Sequence, residues 1–159
     1  PHREAVNIAR NAGLGISLHA GEADEGSRVL EAARLGATRI GHGVHIMNAP
    51  DDLQQQQWID EARRHALHFE VCPTSNVHTG IAPSVSAHPL RSMIEAGLSV
   101  SVSTDNRLMS GVTLSGELRA AHEQNGVSLA AIRQMIREAA RASFLPTSAR
   151  QAALQALEA

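Results

Sequence analysis

Four short strings of residues with chemically active side chains recur along the chain, each at the end of an apolar run rich in β-formers. They are His19-Ala20-Gly21-Glu22, Gly41-His42-Gly43, Cys72-Pro73-Thr74-Ser75-Asn76 and Ser103-Thr104-Asp105-Asn106. A catalytic site in a barrel or an open α/β sheet requires histidine, carboxylate and amide groups just beyond the ends of successive strands. The four strings together therefore indicate an enzyme.

The first two strings supply candidate metal and proton chemistry. An imidazole at a strand end, as His19 is predicted to be, is a good zinc ligand, and Glu22 three residues later could carry a proton. Gly21 between them permits a tight turn. His42 lies between two glycines, where it could orient or deprotonate a water molecule on a metal. The alternative is that these histidines and the glutamate only bond neighbouring backbone in tight turns.

The last two strings are less specific. Asp105 at a strand end could be an oxygen ligand with Asn106 beside it, or the pair could form an Asx turn that starts a helix. Cys72 is predicted to pack in the interior, because no positive charge or helix N-terminus is evident that would lower the pKa of its thiol.

Composition excludes several classes of function. A net charge of -2 and 2% aromatic residues provide neither a basic footprint nor a stacking platform for nucleic acid. The apolar runs are shorter than the roughly 20 residues that span a bilayer, so we expect no membrane segment. A single cysteine permits no internal disulfide and suits the reducing cytoplasm, where we expect the protein to work.

Helix patterns separate the strand patterns in the first half of the chain. A helix running from His2 to about Ala12 precedes the first strand. The next helix spans 25–35 and should stop at Gly36. A third helix should begin after Asp51 or Asp52 as N-cap and bury a face made of Leu53, Trp58, Ile59 and Ala62.

The second half continues the alternation. A loop rich in serine, proline and histidine should follow Cys72-Pro73, and a short helix spans 88–96. Three helices are predicted to close the chain at 113–125, 128–142 and 147–157, with Ser128 and Thr147 as N-cap residues. Four strands joined by helices imply right-handed βαβ units and a parallel sheet. Four such units form half of an eight-unit barrel or a small doubly wound sheet, and local patterns favour neither.

In order and in combination, the strings resemble those of the adenosine deaminase family of metal-dependent hydrolases. The resemblance also includes Arg39-Ile40 before the second string, Thr79-Gly80, His88-Pro89, and Ala142-Ser143-Phe144-Leu145-Pro146 near the end. It covers essentially the whole of 1–159. The resemblance implies an α/β fold, namely the C-terminal half of a (β/α)₈ TIM barrel with strands five to eight and the helices that follow them.

The resemblance also implies roles for individual residues. His19 matches a zinc-binding histidine, and Asp105 matches the aspartate that binds Zn²⁺ and holds the attacking water. Glu22 matches the acid that protonates the purine ring, and His42 matches the residue that orients the water. Asn106 stands where many relatives have an aspartate that contacts the purine, and Gly21 would also contact substrate.

The implied reaction is the hydrolysis of adenosine or 2′-deoxyadenosine to inosine or 2′-deoxyinosine and ammonia, in purine salvage, with a small purine nucleoside as the substrate. Adenine or another aminopurine is the alternative substrate. The family's His-x-His pair of zinc ligands has no match in 1–159, and Pro1 is followed at once by a helix pattern. We therefore expect a piece of a longer deaminase that is inactive alone, or a catalytically silent half-barrel whose exposed edges could self-associate.

Overall fold

Strands and helices alternate along the chain as the patterns predict. The computed structural model describes residues 3–158, so Pro1 and His2, part of the first predicted helix, lie outside the described residues. The elements are α1 (Arg3–Asn11), β1 (Ser17–Ala20), α2 (Ser27–Leu35), β2 (Arg39–His42), α3 (Asp52–Arg64), β3 (His68–Val71), α4 (Pro73–His78), α5 (Leu90–Glu95), β4 (Ser99–Val102), α6 (Arg107–Ser110), α7 (Leu114–Glu123), α8 (Leu129–Ala142) and α9 (Thr147–Ala156), with a 3₁₀ turn at Val44–Met47.

The four strands form one parallel sheet in chain order, β1-β2-β3-β4. Ser17 pairs with Arg39, Arg39 with His68, and His68 with Ser99, so the strands begin at one common edge. Their carboxyl ends consequently share the opposite edge, which gathers the turns that follow β1, β2, β3 and β4. The predicted α/β class and parallel sheet are confirmed.

The two faces of the sheet differ in polarity, because successive side chains of a strand point to opposite faces. Ile40, Phe69 and Val100 lie side by side in the register and are buried in the apolar core with residues of the surrounding helices. Each such side chain contributes about 1.5–3 kcal/mol by leaving water. The residues between them in sequence form a polar face: Ser17, His19, Arg39, Gly41, His68, Glu70, Ser99 and Ser101.

Helix ends follow local rules in most places. The side chains of Asp51 and Ser128 accept hydrogen bonds from Gln54 N at 2.8 Å and Ala131 N at 3.1 Å, which confirms both predicted N-caps. Gly36, with φ 103°, ends α2 as predicted. The prediction for Thr147 is wrong: it is the first residue of α9, and Pro146 occupies the N-cap position without a side-chain bond.

The predicted buried face of α3 is only partly correct. Ile59 and Ala62 are buried and Trp58 is partly buried, but Leu53 is 71% exposed. A helix turns about 100° per residue, so Leu53, nine positions before Ala62, points to the opposite side. Leu53 therefore faces solvent.

Two short helices directly follow β3 and β4. α4 replaces the predicted loop after Cys72, because Pro73 is compatible with the first turn of a helix. α6 follows Asn106, whose side chain accepts a hydrogen bond from Met109 N at 3.1 Å. Among the described residues, no helix is long and apolar enough to cross a bilayer.

Candidate active site

The carboxyl edge of the sheet carries the predicted chemical side chains. His19 is the third residue of β1 and His42 is the last residue of β2, so both lie within the strands and not beyond them as predicted. Glu22 follows β1, and Asp105 follows β4. The strands are thus slightly longer at this edge than their apolar runs suggest, since the parallel ladder extends into the strings.

Three of the predicted residues converge. Ligand atoms of His19, Glu22 and His42 all lie within 4.8 Å of one another. The two imidazole rings meet edge to face with centroids 5.0 Å apart, and His42 Nε2 lies 3.5 Å from Glu22 Oε2. His42 is buried, whereas His19 is exposed and Glu22 is partly exposed. The group therefore combines a fixed interior imidazole with two side chains that solvent or a ligand can reach.

Close backbone approach explains two glycines at this edge. A Cβ atom on Gly41 would lie 2.6 Å from His19 Cδ2, so the absence of a side chain makes room for the His19 ring over β2. Gly21 has φ 64°, and a Cβ there would lie 2.7 Å from Val29 Cγ2. This turn is also bonded to the 3₁₀ turn after β2, because His45 N donates to Gly21 O at 2.9 Å.

His42 and Asp105 adopt left-handed backbone conformations, with φ 62° and 52°. Such conformations cost of order 1–3 kcal/mol in a residue other than glycine and persist only where the surroundings hold them. These two are predicted site residues at the carboxyl edge, whereas Ala66, which also has a positive φ of 49°, precedes β3. The strain supports the interpretation of this edge as a functional site.

Asn76 of α4 connects the site residues, and the sequence patterns did not identify it. Its Nδ2 lies 3.2 Å from both Glu22 Oε1 and His42 Nδ1, and its Oδ1 lies 3.1 Å from His88 Nε2. Asn76 is fully buried. The residues Cys72-Pro73-Thr74-Ser75-Asn76 and His88-Pro89 were noticed as strings, but no local signal shows that their side chains meet.

Asp105 lies outside the group of His19, Glu22 and His42. Its carboxylate accepts a hydrogen bond from Ser75 Oγ at 2.6 Å, and Ser75 is the neighbour of Asn76 on α4. α4 therefore connects Asp105 with Glu22 and His42. Asn106 caps α6 through its side-chain oxygen, as the Asx-turn alternative predicts.

Burial shapes the ionisation of two nearby groups. Burial, followed by the charge of His42, lowers the pKa of His88 to about 4, so its ring is neutral at pH 7. Burial, followed by the charge of Asp105, raises the pKa of the Cys72 thiol to about 12. A thiol that ionises so reluctantly is a poor nucleophile, which agrees with the predicted packing role of Cys72.

Comparison with known sequences decides the family. The family model described as adenosine deaminase matches residues 1–159. The chain belongs to the adenosine deaminase family. An adenosine deaminase of Shewanella denitrificans is 35% identical over 144 residues, which cover 90% of this chain and 42% of that protein. An adenosine deaminase of Clostridium botulinum is 35% identical over 142 residues, or 89% of this chain and 41% of that protein. The family member described here thus spans less than half the length of these relatives.

Solved structures share the fold of this family member. Adenine deaminase of Arthrobacter aurescens superposes with a TM-score of 0.89 at 24% identity, covering 98% of this chain and 46% of that one. An amidohydrolase of Burkholderia ambifaria with bound Zn superposes with a TM-score of 0.84 at 22% identity, over 98% of this chain and 43% of that one. At these identities the likeness establishes the fold alone.

Proposed function

We propose that residues 1–159 form the C-terminal half, strands five to eight, of a (β/α)₈ barrel domain. Four parallel strands in chain order, joined by helices, are the arrangement of half such a barrel. The match to less than half of the curated relatives supports the same conclusion. One edge of this sheet is open at β1, where Ser17 and His19 are exposed.

We propose that the protein hydrolyses adenosine or 2′-deoxyadenosine to inosine or 2′-deoxyinosine and ammonia. The observation that carries this proposal is the convergence of His19, Glu22 and His42 within 4.8 Å at the carboxyl edge. Such an edge is where (β/α)₈ enzymes build their active sites. The names of the curated relatives support adenosine as the substrate.

The donor set fits a zinc ion. Imidazole and carboxylate are both zinc ligands, and we propose that His19 and Asp105 bind Zn²⁺. A catalytic zinc usually takes three protein ligands, and the sequence contains no His-x-His pair, so further ligands would come from another part of the protein. When bound, zinc lowers the pKa of a coordinated water to about 7, which supplies a nucleophile at neutral pH.

The remaining residues would act on the substrate. Glu22, partly exposed beside His42, is placed to donate a proton to the purine ring nitrogen, which makes the adjacent carbon more electrophilic. His42, held by Asn76, orients the attacking water, and Asp105 also holds it. Water adds its oxygen to the ring carbon and the amino group leaves as ammonia. Gly21 and Asn106 are the proposed contacts to the purine.

A second candidate substrate is adenine or another aminopurine. The side-chain oxygen of Asn106 caps α6. The family resemblance places an aspartate at this position in many relatives, and an amide there would suit a different purine. A comparison of kcat/KM for adenosine, 2′-deoxyadenosine and adenine with the full-length protein separates the candidates. We propose that the protein acts in the cytoplasm, which suits the single free thiol of Cys72.

The isolated chain tests the half-barrel proposal. Residues 1–159 incubated with zinc and adenosine should show no loss of adenosine absorbance, because His19 and Asp105 are only two protein ligands. The full-length protein should be active under the same conditions, and its Asp105→Ala variant should not.

Self-association of residues 1–159 could change the outcome of this turnover test. The exposed β1 edge could pair with a second copy, which sedimentation would detect as a dimer. Turnover by the isolated chain that disappears in Asp105→Ala would show that ligands within the chain or in a second copy complete the site, and the half-barrel proposal would be wrong. A monomer without turnover, beside an active full-length protein, supports it.

A further inference from the structure

A line of polar contacts runs from the start of α5 to Glu22 through three buried side chains. Leu90 N donates to His88 Nδ1 at 3.0 Å, and His88 Nε2 lies 3.1 Å from Asn76 Oδ1. Asn76 Nδ2 lies 3.2 Å from His42 Nδ1, and His42 Nε2 faces Glu22 Oε2 at 3.5 Å. His88, Asn76 and His42 are 3%, 0% and 2% exposed, so water does not compete for these contacts.

One end of the line fixes the direction of every bond. The Leu90 backbone N–H can only donate, so His88 Nδ1 must be the acceptor. In a neutral imidazole the other nitrogen then carries the proton, and the lowered pKa of His88 keeps the ring neutral at pH 7. His88 Nε2–H consequently donates to Asn76 Oδ1.

The orientation of the Asn76 amide follows from His88. Because the oxygen of the amide faces His88, its NH₂ group faces Glu22 and His42, and its two hydrogens match the two acceptors there. His42 Nδ1 therefore accepts, and the His42 proton lies on Nε2, which points toward Glu22. A reversed amide would place its oxygen against the Glu22 carboxylate, an acceptor facing an acceptor.

We propose that His88 and Asn76 are positioning residues that hold His42 in its Nε2–H tautomer and anchor Glu22 beside it. Neither residue needs to touch substrate for this role. The catalytic consequence rests on the proposed deaminase function, whereas the tautomer of His42 does not. His42 then presents a hydrogen-bond donor to the site rather than a bare ring nitrogen.

The test uses the full-length protein labelled with ¹⁵N-histidine, whose NMR signals distinguish the two tautomers at a fixed pH of 7. The His42 signals are identified by their loss in His42→Gln. His88→Leu removes the donor to Asn76, while His88→Gln keeps an amide N–H that can reach it. His68→Leu is the matched control, because His68 is also a buried histidine but contacts Ser99 and Ser101 at the opposite edge.

The wild type should show His42 with its proton on Nε2. His88→Leu should give a mixture of both tautomers and lower kcat about 10–100-fold, the usual effect of losing a residue that orients a catalytic group. His88→Gln should restore most of kcat and the single tautomer. His68→Leu should change neither the tautomer nor kcat.

Asn76→Asp keeps the test decisive if His88→Leu does not fold. The carboxylate has the shape of the amide but lacks its N–H donors, so His42 Nδ1 should become protonated. A His42 ring that keeps its proton on Nε2 alone in Asn76→Asp or in folded His88→Leu would overturn the proposal. The predicted tautomer changes in a protein without deaminase activity would support the positioning role and refute the proposed function instead.

Discussion

Each edge of the sheet holds a buried histidine whose pKa burial lowers to about 4, His88 near the carboxyl edge and His68 at the amino edge. The tautomers of the two rings are opposite. Ser99 Oγ donates to the Glu138 carboxylate at 3.2 Å, so it accepts from His68 Nδ1–H. In His88 the proton lies on Nε2, because Nδ1 accepts a hydrogen bond from the backbone N–H of Leu90.

The two polar networks also end differently. The amino-edge network ends on Glu138, which pairs with Arg141 at 2.6 Å and so has its charge compensated. The carboxyl-edge line ends on Glu22 and His42 Nε2, beside the exposed His19. His42 in the carboxyl-edge line has a left-handed backbone, whereas the left-handed residue near the amino edge, Ala66, belongs to neither network. Buried polar groups alone therefore do not mark a site, and a network that ends in accessible groups beside a strained member is the stronger indication.

Glu22, in the turn after β1, and Glu70, inside β3, should respond very differently to the loss of their charge. Glu22→Gln in the full-length protein should lower kcat about 10²–10⁴-fold, because a general acid contributes about that much. Glu70→Gln, which weakens the ion pair with Arg39, should lower the free energy of unfolding by about 1–3 kcal/mol and leave kcat nearly unchanged. Steady-state kinetics and urea unfolding measure both. Comparable activity of Glu22→Gln would show that another group supplies the proton.

Acid should destabilise both edges equally. His68 and His88 titrate at about 4 in the folded state against 6.5 unfolded, so the unfolded chain binds more protons between these values. Stability is full above pH 6.5 and falls as the pH decreases toward 4, by about 3 kcal/mol for each histidine. Urea unfolding at pH 7 and pH 4.5 measures how much the free energy of unfolding decreases in acid. This decrease should be smaller in His68→Gln and in His88→Gln than in the wild type. An undiminished decrease in either variant contradicts the assignment for that histidine.

Alanine substitutions at two glycines on either side of β1 distinguish the cost of backbone strain from the cost of a steric clash. Gly13, before β1, and Gly21, after it, have φ 73° and 64°, but only at Gly21 would a Cβ meet a neighbour, Val29 Cγ2 at 2.7 Å. Gly13→Ala should cost about 1 kcal/mol for the left-handed backbone alone. Gly21→Ala should cost about 1–3 kcal/mol more, since Val29 must move. Thermal unfolding of the two variants measures the difference, and equal losses would show that Val29 shifts freely.

The last comparison concerns the reactivity of the Cys72 thiol in the folded and the unfolded protein. Its pKa of about 12, against 9.0 for an ordinary thiol, should slow labelling by iodoacetamide at pH 8 about a thousandfold relative to the urea-unfolded protein. Mass spectrometry of timed samples measures the rate. Rapid labelling of the folded protein would mean that the carboxyl edge opens to solvent around Cys72.

The sequence predicted the family and the parallel α/β fold correctly, and the family comparison confirms the former. It also predicted that His19, Glu22, His42 and Asp105 would cluster at the strand ends; the structure brings the first three within 4.8 Å of one another, whereas Asp105 lies outside this group and bonds Ser75. The assignment of the strands to positions five to eight of a barrel, and the roles of Asp105 and Asn106, remain predictions. The short helix α4 was missed, since six residues with a proline at the first position carry little helical periodicity.

The sequence by itself determined what depends on near neighbours: the order of the elements, the caps at Asp51 and Ser128, and the residue types at each strand end. Only the tertiary structure decided which distant groups share a hydrogen bond. Asn76 lies 54 residues from Glu22 and 34 from His42, and the sheet register together with the packing of α4 brings them together. Local periodicity reports which face of an element is buried, but a contact between two elements depends on how both pack in three dimensions.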